Sequence, residues 1–155
     1  LNPILETTVN YVNAPGLAKD RGIAVREVKS KEAANFTNLI TVKAETEKKT
    51  VVLQGALFGS EGRVVSIDGY RVDVDPHKRI LLCPHINRPG IIGKVGSLMG
   101  DEGINISGMQ VGKTEQEGTN IMVLTIDNEV PAAVIEQVAA LDGIFGAKLI
   151  DFDLL

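Results

Sequence analysis

The period of hydrophobic positions changes partway along the chain, and this change divides it into two halves. Residues 1–77 carry mainly short alternating runs, which are typical of strands. Residues 78–155 mix such runs with apolar positions that recur every three or four residues, as in helices. The pattern breaks at Asp75-Pro76-His77-Lys78, where Pro76 cannot donate to a sheet ladder. We therefore predict two domains, one over residues 1–77 and one over residues 78–155.

The first half is predicted to be rich in strands, with one helix near its start. Asn13 can cap that helix, Pro15 suits its first turn, and Arg21-Gly22 ends it. Asp68-Gly69 lies between two alternating runs and indicates a tight hairpin, because both turn positions need a positive φ angle. The predicted strands span residues 23–28, 36–44, 51–58, 63–67 and 70–74.

The second half is predicted to follow the order βαββαβ, the ferredoxin-like arrangement, which makes the fold class of the whole chain α+β. One helix begins after Gly90 and the other at Pro131, with Gly143 as its stop. Both helices on one face would leave the opposite face of the sheet and its edges available for pairing. The predicted strands span residues 80–85, 104–111, 119–126 and 144–152. The inward helical positions are Ile91, Ile92, Val95, Leu98 and Met99, then Val134, Ile135, Val138 and Leu141.

The turn between the first strand and first helix of the second half carries candidate binding chemistry. It reads His85-Ile86-Asn87-Arg88-Pro89-Gly90 and leads directly into the helix. A helix N-terminus offers unpaired N–H groups and a partial positive charge to an anion, and Gly90 allows close approach. We expect a pocket for a small carboxylate here, although a simple turn with a surface histidine would explain the same residues.

Composition and charge exclude several classes of function. The chain has 155 residues, a net charge of −4, four Phe, two Tyr and no Trp. This leaves neither the basic face nor the stacking platform of a nucleic-acid binder. No apolar run approaches the roughly 18 residues of a membrane span, and no signal peptide is recognisable. We expect a cytoplasmic protein without membrane or nucleic-acid partners and, because it starts at Leu1, a fragment of a longer one.

No metal site or catalytic residue is predicted. Cys83 is the only cysteine, and with His77 and His85 it lacks the spacing of a zinc site, so packing in the core explains it better. Asp73 and Asp75 are expected on a solvated face rather than around calcium. The glycines at positions 90, 93, 96 and 100 do not follow the dinucleotide-binding spacing, and indicate close helix packing instead.

Residues of both halves resemble known families. The segment 85–90, together with Gly103-Ile104-Asn105-Ile106 and residues 121–124, resembles the ACT domain, a small-molecule sensor of amino-acid metabolism. The segment 9–15, with Leu17-Ala18 and residues 21–23, is similar to the intervening domain of the D-3-phosphoglycerate dehydrogenase family. Together the two resemblances cover nearly the whole chain.

The ACT resemblance implies a regulatory site shared by two copies of the chain. In the family, two ACT domains pair edge to edge and bind L-serine at their interface, so we expect L-serine or another small amino acid and a dimer or tetramer. The implied binding residues from one copy are His85, Asn87, Gly90 and Ile91. Asn105 matches the asparagine that reaches the ligand from the partner.

The resemblance of the first half implies an allosteric domain that takes an anion. Arg63 falls where a basic residue is expected, whereas Asp75 and Thr125 stand where further basic residues would be. The family's enzymes oxidise 3-phosphoglycerate with NAD in the first step of serine synthesis. Because this chain has no dinucleotide fingerprint, we expect it to hold no cofactor and no catalytic residue, and to be the regulatory portion subject to feedback by serine.

Two other interpretations stay open. The regulatory or β portion of an iron–sulfur L-serine dehydratase joins a similar β-rich domain to an ACT domain, although Cys83 alone could not hold a cluster. The chain could also be an ACT dimerisation module without a ligand. Titration with candidate ligands would separate the last interpretation from the others.

Overall fold

A computed structural model of the chain describes residues 8–31, 36–77, 79–114 and 118–152. Within these ranges the helices are α1 (Ala14–Asp20), α2 (Ile91–Asp101) and α3 (Ala132–Ala140). The strands are β1 (Ile40–Glu45), β2 (Thr50–Phe58), β3 (Glu61–Ile67), β4 (Tyr70–Val74), β5 (Arg79–Ile86), β6 (Ile106–Lys113), β7 (Thr119–Ile126) and β8 (Lys148–Asp151). They form one antiparallel sheet in the order β1-β2-β3-β4-β6-β7-β5-β8. The α+β prediction is confirmed.

The predicted hairpin joins β3 to β4. Asp68 and Gly69 have φ angles of 48° and 85°, the positive values that a two-residue turn of this kind requires. The backbone N–H and the carboxylate of Asp68 both bond to Val52 on β2, which ties the turn to a third strand. The sequence therefore locates this turn correctly.

The strand predicted at residues 23–28 is wrong. These residues belong to no strand, and Ile23, Val25 and Val28 are exposed. Alternation favours a half-buried strand, but a strand also needs a neighbour that supplies hydrogen bonds, and the described part of the chain supplies none here. The strand predicted at 36–44 begins only at Ile40, because residues 36–38 form bends.

The second half has the predicted ferredoxin-like order, with β5 between β7 and β8 and with β6 outside β7. Helices α2 and α3 pack on one face of these strands. Ile91, Val95 and Met99 of α2 are buried as predicted, whereas Ile92 is 42% exposed. The core beneath the helices also includes Leu81, Cys83, Met122, Leu124, Ile126, Val134 and Val138.

The opposite face of the second-half sheet is covered, contrary to the prediction that it would be available. Ile80, Ile121 and Val123 point away from the helices and pack against Ile67 and Val74 of the first half. Successive side chains of a strand point to opposite faces, so the largely apolar strands β5 and β7 carry apolar side chains on both faces. Burying each such side chain contributes about 1.5–3 kcal/mol. The predicted domain boundary at residues 77 and 78 stays a prediction, since the sheet continues through it.

Candidate functional site

The residues of the predicted binding turn come together where β5 ends and α2 begins. His85 lies on the helix side of β5 and is 2% exposed. Gly90 is the N-cap of α2 and has a φ angle of 87°, a left-handed conformation that glycine adopts without strain. Ile91 is buried and anchors the first turn of α2 in the core. The N–H groups of this turn have no partners within the helix, as at any helix N-terminus.

The imidazole of His85 has one satisfied and one unsatisfied nitrogen. Its Nδ1 lies 2.8 Å from the carbonyl oxygen of Ile86, and since a carbonyl can only accept, Nδ1 carries the proton. In the neutral ring Nε2 is then an acceptor, yet it is buried and has no hydrogen-bond partner among the described residues. A buried unpaired polar atom costs about 1–3 kcal/mol. Nε2 of His85 therefore has an unused acceptor position, but it faces the protein interior and is covered by neighbouring atoms.

Backbone hydrogen bonds fix the loop that carries Asn87. Its N–H donates to the carbonyl oxygen of Gly118 at 2.9 Å, and the N–H of Arg88 donates to Ile86 at 2.9 Å. The carboxamide of Asn87 is exposed and makes no hydrogen bond within the described part of the chain. The loop thus presents an uncommitted carboxamide next to the N-terminus of α2.

Charged side chains surround the same turn. Nη2 of Arg88 lies 2.6 Å from Oδ2 of Asp142, and Nζ of Lys94 lies 3.6 Å from the same oxygen. The hydrogen bond and charge of Arg88, then the charge of Lys94, lower the pKa of Asp142. Two cations against one carboxylate leave a local excess of positive charge, which favours an anionic ligand group.

Gly143, which the sequence indicated only as a helix stop, packs against the candidate binding turn. Its carbonyl oxygen accepts from the N–H of Ile86 at 2.8 Å, and its φ angle is 91°. A Cβ atom there would lie 2.6 Å from Cδ1 of Ile91 and 2.9 Å from Cγ2 of Ile86. The turn after α3 can therefore approach the binding turn only because residue 143 has no side chain.

Asn105 does not join these residues in one chain. His85 pairs with Asn120 of β7, and Asn120 pairs with Lys113, the last residue of β6, so the three residues are level with one another across the sheet. Asn105, in contrast, precedes the first residue of β6. The seven steps from residue 106 to residue 113 span roughly 23 Å at about 3.3 Å per residue. The carboxamide of Asn105 donates to Asp127 at 2.8 Å, and its Oδ1 accepts no hydrogen bond from any described residue.

Arg63 lies far from this turn and is neutralised by its neighbours. Its Nε donates to Asp73 at 2.7 Å, and its Nη1 lies 3.8 Å from Asp75. The hydrogen bond to Asp73 raises the pKa of Arg63, with the charges of Asp73 and Asp75 adding to it. Asp75 thus stands where the resemblance implied a basic residue, and it removes positive charge from the position. An anion site at Arg63 stays a prediction.

Other features of the described residues offer less chemistry. A cavity of about 460 Å³ lies in the first half. Cys83 is fully buried, and burial raises the pKa of its thiol to about 12. Across the described ranges no cluster of three or more His, Cys, Asp and Glu side chains could hold a metal ion, and no helix is long and apolar enough to cross a membrane. The cavity is lined by Phe36, Gln54, Phe58, Val65, Ser66, Gly69, Arg71, Val72 and Asp73.

Comparison with known proteins finds a matching family model for each half. A family model described as D-3-phosphoglycerate dehydrogenase intervening domain matches residues 1–68, and an ACT-domain model matches residues 80–143. The chain is 39% identical over 151 residues to D-3-phosphoglycerate dehydrogenase of Methanocaldococcus jannaschii, covering 97% of this chain and 29% of that relative. It is 36% identical over 152 residues to the protein of the same name from Bacillus subtilis, which again covers 97% of this chain and 29% of that relative. The chain therefore spans less than a third of the length of these relatives.

Proposed function

Because the chain carries the intervening domain of D-3-phosphoglycerate dehydrogenases followed by an ACT domain, we propose that it is the regulatory region of such an enzyme. In this proposal the enzyme oxidises 3-phosphoglycerate with NAD in the cytoplasm, and the catalytic step and the NAD site belong to the part of the enzyme outside this chain. The effector is L-serine, the product of the pathway that this reaction begins.

The unsatisfied Nε2 of His85 is the observation that carries the proposal. L-serine has a carboxylate, an ammonium group and a hydroxyl group, and either of the last two can donate to Nε2 once the atoms that cover this nitrogen move aside. The carboxylate suits the N–H groups at the start of α2, with Arg88 and Lys94 nearby. The carboxamide of Asn87 can accept from the ammonium group. In this proposal, each group of the ligand has a complementary group available on the chain.

The position of Asn105 is the reason why the proposed site is shared by two copies of the chain. It lies at the far end of its own β6, so it can contribute to the site around His85 only if another chain places it there. Two β6 edges that pair antiparallel would bring the start of one strand towards the end of the other. A ligand held between two copies favours the relative orientation that it binds better, which is how serine would inhibit a distant active site.

Calorimetric titration of the chain with L-serine tests this function. We expect saturable binding of L-serine, weaker binding of glycine and D-serine, and loss of binding in Asn87→Ala. His85→Leu should also lose binding, whereas His77→Leu, at an exposed histidine outside the site, should keep it. Absence of L-serine binding by folded, self-associated wild-type chain would contradict the proposal and support the module without a ligand.

Two other expectations have separate tests. The match to dehydrogenases over nearly the whole chain favours that family over the serine dehydratase alternative.

For the intervening domain, titration with inorganic phosphate of wild type and of Arg63→Ala tests the anion site. Because Asp73 and Asp75 already neutralise Arg63, we expect at most weak phosphate binding there.

A further inference from the structure

Strand β4 of the first half occupies part of the outer edge of β6. Arg71 pairs with Lys113 in the ladder between the two strands. Further along, the side chain of Gln110 replaces a ladder step: its Oε1 accepts from the N–H of Asp73 at 2.8 Å, and its Nε2 donates to the carbonyl oxygen of Asp73 at 2.6 Å. Backbone and side-chain hydrogen bonds therefore hold β4 along residues 110–113 of β6.

Two more features adapt this end of β6 to β4. Gly112 is buried, and a Cβ atom on it would lie 2.8 Å from the carbonyl oxygen of Arg71 and 2.8 Å from Cγ1 of Val72. The hydroxyl groups of Tyr70 and Thr119 lie 3.1 Å apart, next to the Gly118 carbonyl that holds the Asn87 loop. The contact is thus closely packed and adjoins the candidate ligand site.

The same end of β6 is where a second copy would have to reach. His85 is level with Lys113, so Asn105 of a second copy meets the His85 site only if its β6 pairs along the full length of this β6. With β4 in place, residues 106–109 are the part of this edge that no described strand occupies, which puts the incoming Asn105 opposite Gln110. That position is three residues short of Lys113, or roughly 10 Å.

We propose that β4 and the β6 strand of a second copy compete for this edge, so that docking of β4 opposes completion of the ligand site. The intervening domain then controls how readily two ACT domains bind their shared ligand. This inference rests on the proposed function. Because linkage is reciprocal, ligand binding must in turn loosen β4.

A reversible cross-link between β4 and β6 tests the competition. Arg71 and Lys113 are direct ladder partners, so Arg71→Cys with Lys113→Cys can be joined by oxidation to a disulfide, while buried Cys83 does not compete. We expect the oxidised chain to bind L-serine at least tenfold more weakly than the same chain after reduction, within the usual range of coupling between sites. Its self-association, measured by sedimentation equilibrium, should weaken in parallel.

Loosening the contact should have the opposite effect. Gln110→Ala removes both hydrogen bonds to Asp73 and should tighten L-serine binding several-fold, whereas Gln54→Ala, a matched change on β2, should not. Hydrogen exchange of residues 70–74 should accelerate when wild-type chain binds L-serine.

The two proposals fail in different ways. If the reduced and oxidised chains bind L-serine equally and Gln110→Ala is unchanged, the competition is refuted and the ligand site stands. If wild-type chain and both variants bind no L-serine, the proposed function itself is refuted.

Discussion

His85 and Asn105 lie at opposite ends of the same sheet, the first level with the last residue of β6 and the second just before its first residue. If both contact one ligand, they must come from different chains. Mixing His85→Ala chains with Asn105→Ala chains should therefore restore binding that neither variant shows alone. Each mixed dimer has one intact site and one doubly altered site, so random mixing restores about a quarter of the wild-type sites.

Calorimetric stoichiometry of L-serine binding measures this restoration. The matched control is a chain that carries both substitutions, because mixing it with either single variant leaves every site altered. Binding by Asn105→Ala alone at wild-type affinity would show that Asn105 takes no part in the site.

Replacing His85 should separate stability from binding. His85→Leu removes a buried nitrogen that has no partner among the described residues, and the Ile86 carbonyl keeps its hydrogen bond from Arg88. We expect the free energy of unfolding to rise by about 1 kcal/mol while L-serine binding is lost. Urea denaturation measures the first effect and calorimetry the second. A large loss of stability would mean that His85 serves the core and not a ligand.

The local signals in the sequence predicted elements well where one segment decides the outcome. Asp68-Gly69 forms the predicted turn, and the apolar positions of α2 face the core apart from Ile92. The alternating pattern at residues 23–28 predicted a strand that does not form, because a strand depends on a neighbouring strand that the segment itself does not encode. The covered face of the second-half sheet was missed for the same reason: Ile67 and Val74, which belong to the other half of the chain, cover it.

For the candidate site, the residues predicted from one copy share one short segment, and none was predicted that approaches this segment from elsewhere in the same chain. His85, Asn87, Gly90 and Ile91 follow one another along the chain, and the structure places them around one turn. Gly143 comes from the turn after α3, and its requirement for glycine becomes visible only beside Ile86 and Ile91. No periodicity could show such a contact.

Glycine at position 143 should be essential for the geometry of the binding turn. Gly143→Ala places a methyl group against Ile91 and Ile86 in a left-handed backbone conformation, so we expect a loss of about 2–3 kcal/mol of stability and weaker L-serine binding. Gly100→Ala is the control, because its Cβ meets open space near the end of α2 and should cost no stability. Equal unfolding midpoints in urea for the two variants would contradict the steric argument.

The thiol of Cys83 should make the stability of the chain depend on alkaline pH. Burial raises its pKa from 9.0 to about 12, so the folded state holds a proton that the unfolded state releases above pH 9. The stability due to the neutral thiol is therefore fully present below pH 9 and is lost between pH 9 and pH 12. The loss should be about 1 kcal/mol for each pH unit, and Cys83→Ala should lack it. Urea denaturation of both chains at pH 8, 9 and 10 measures the difference, which cancels the titration of tyrosines and lysines common to both. Parallel pH profiles, or rapid reaction of the native thiol with Ellman's reagent at pH 8, would show that Cys83 is accessible to solvent and not sealed in the core.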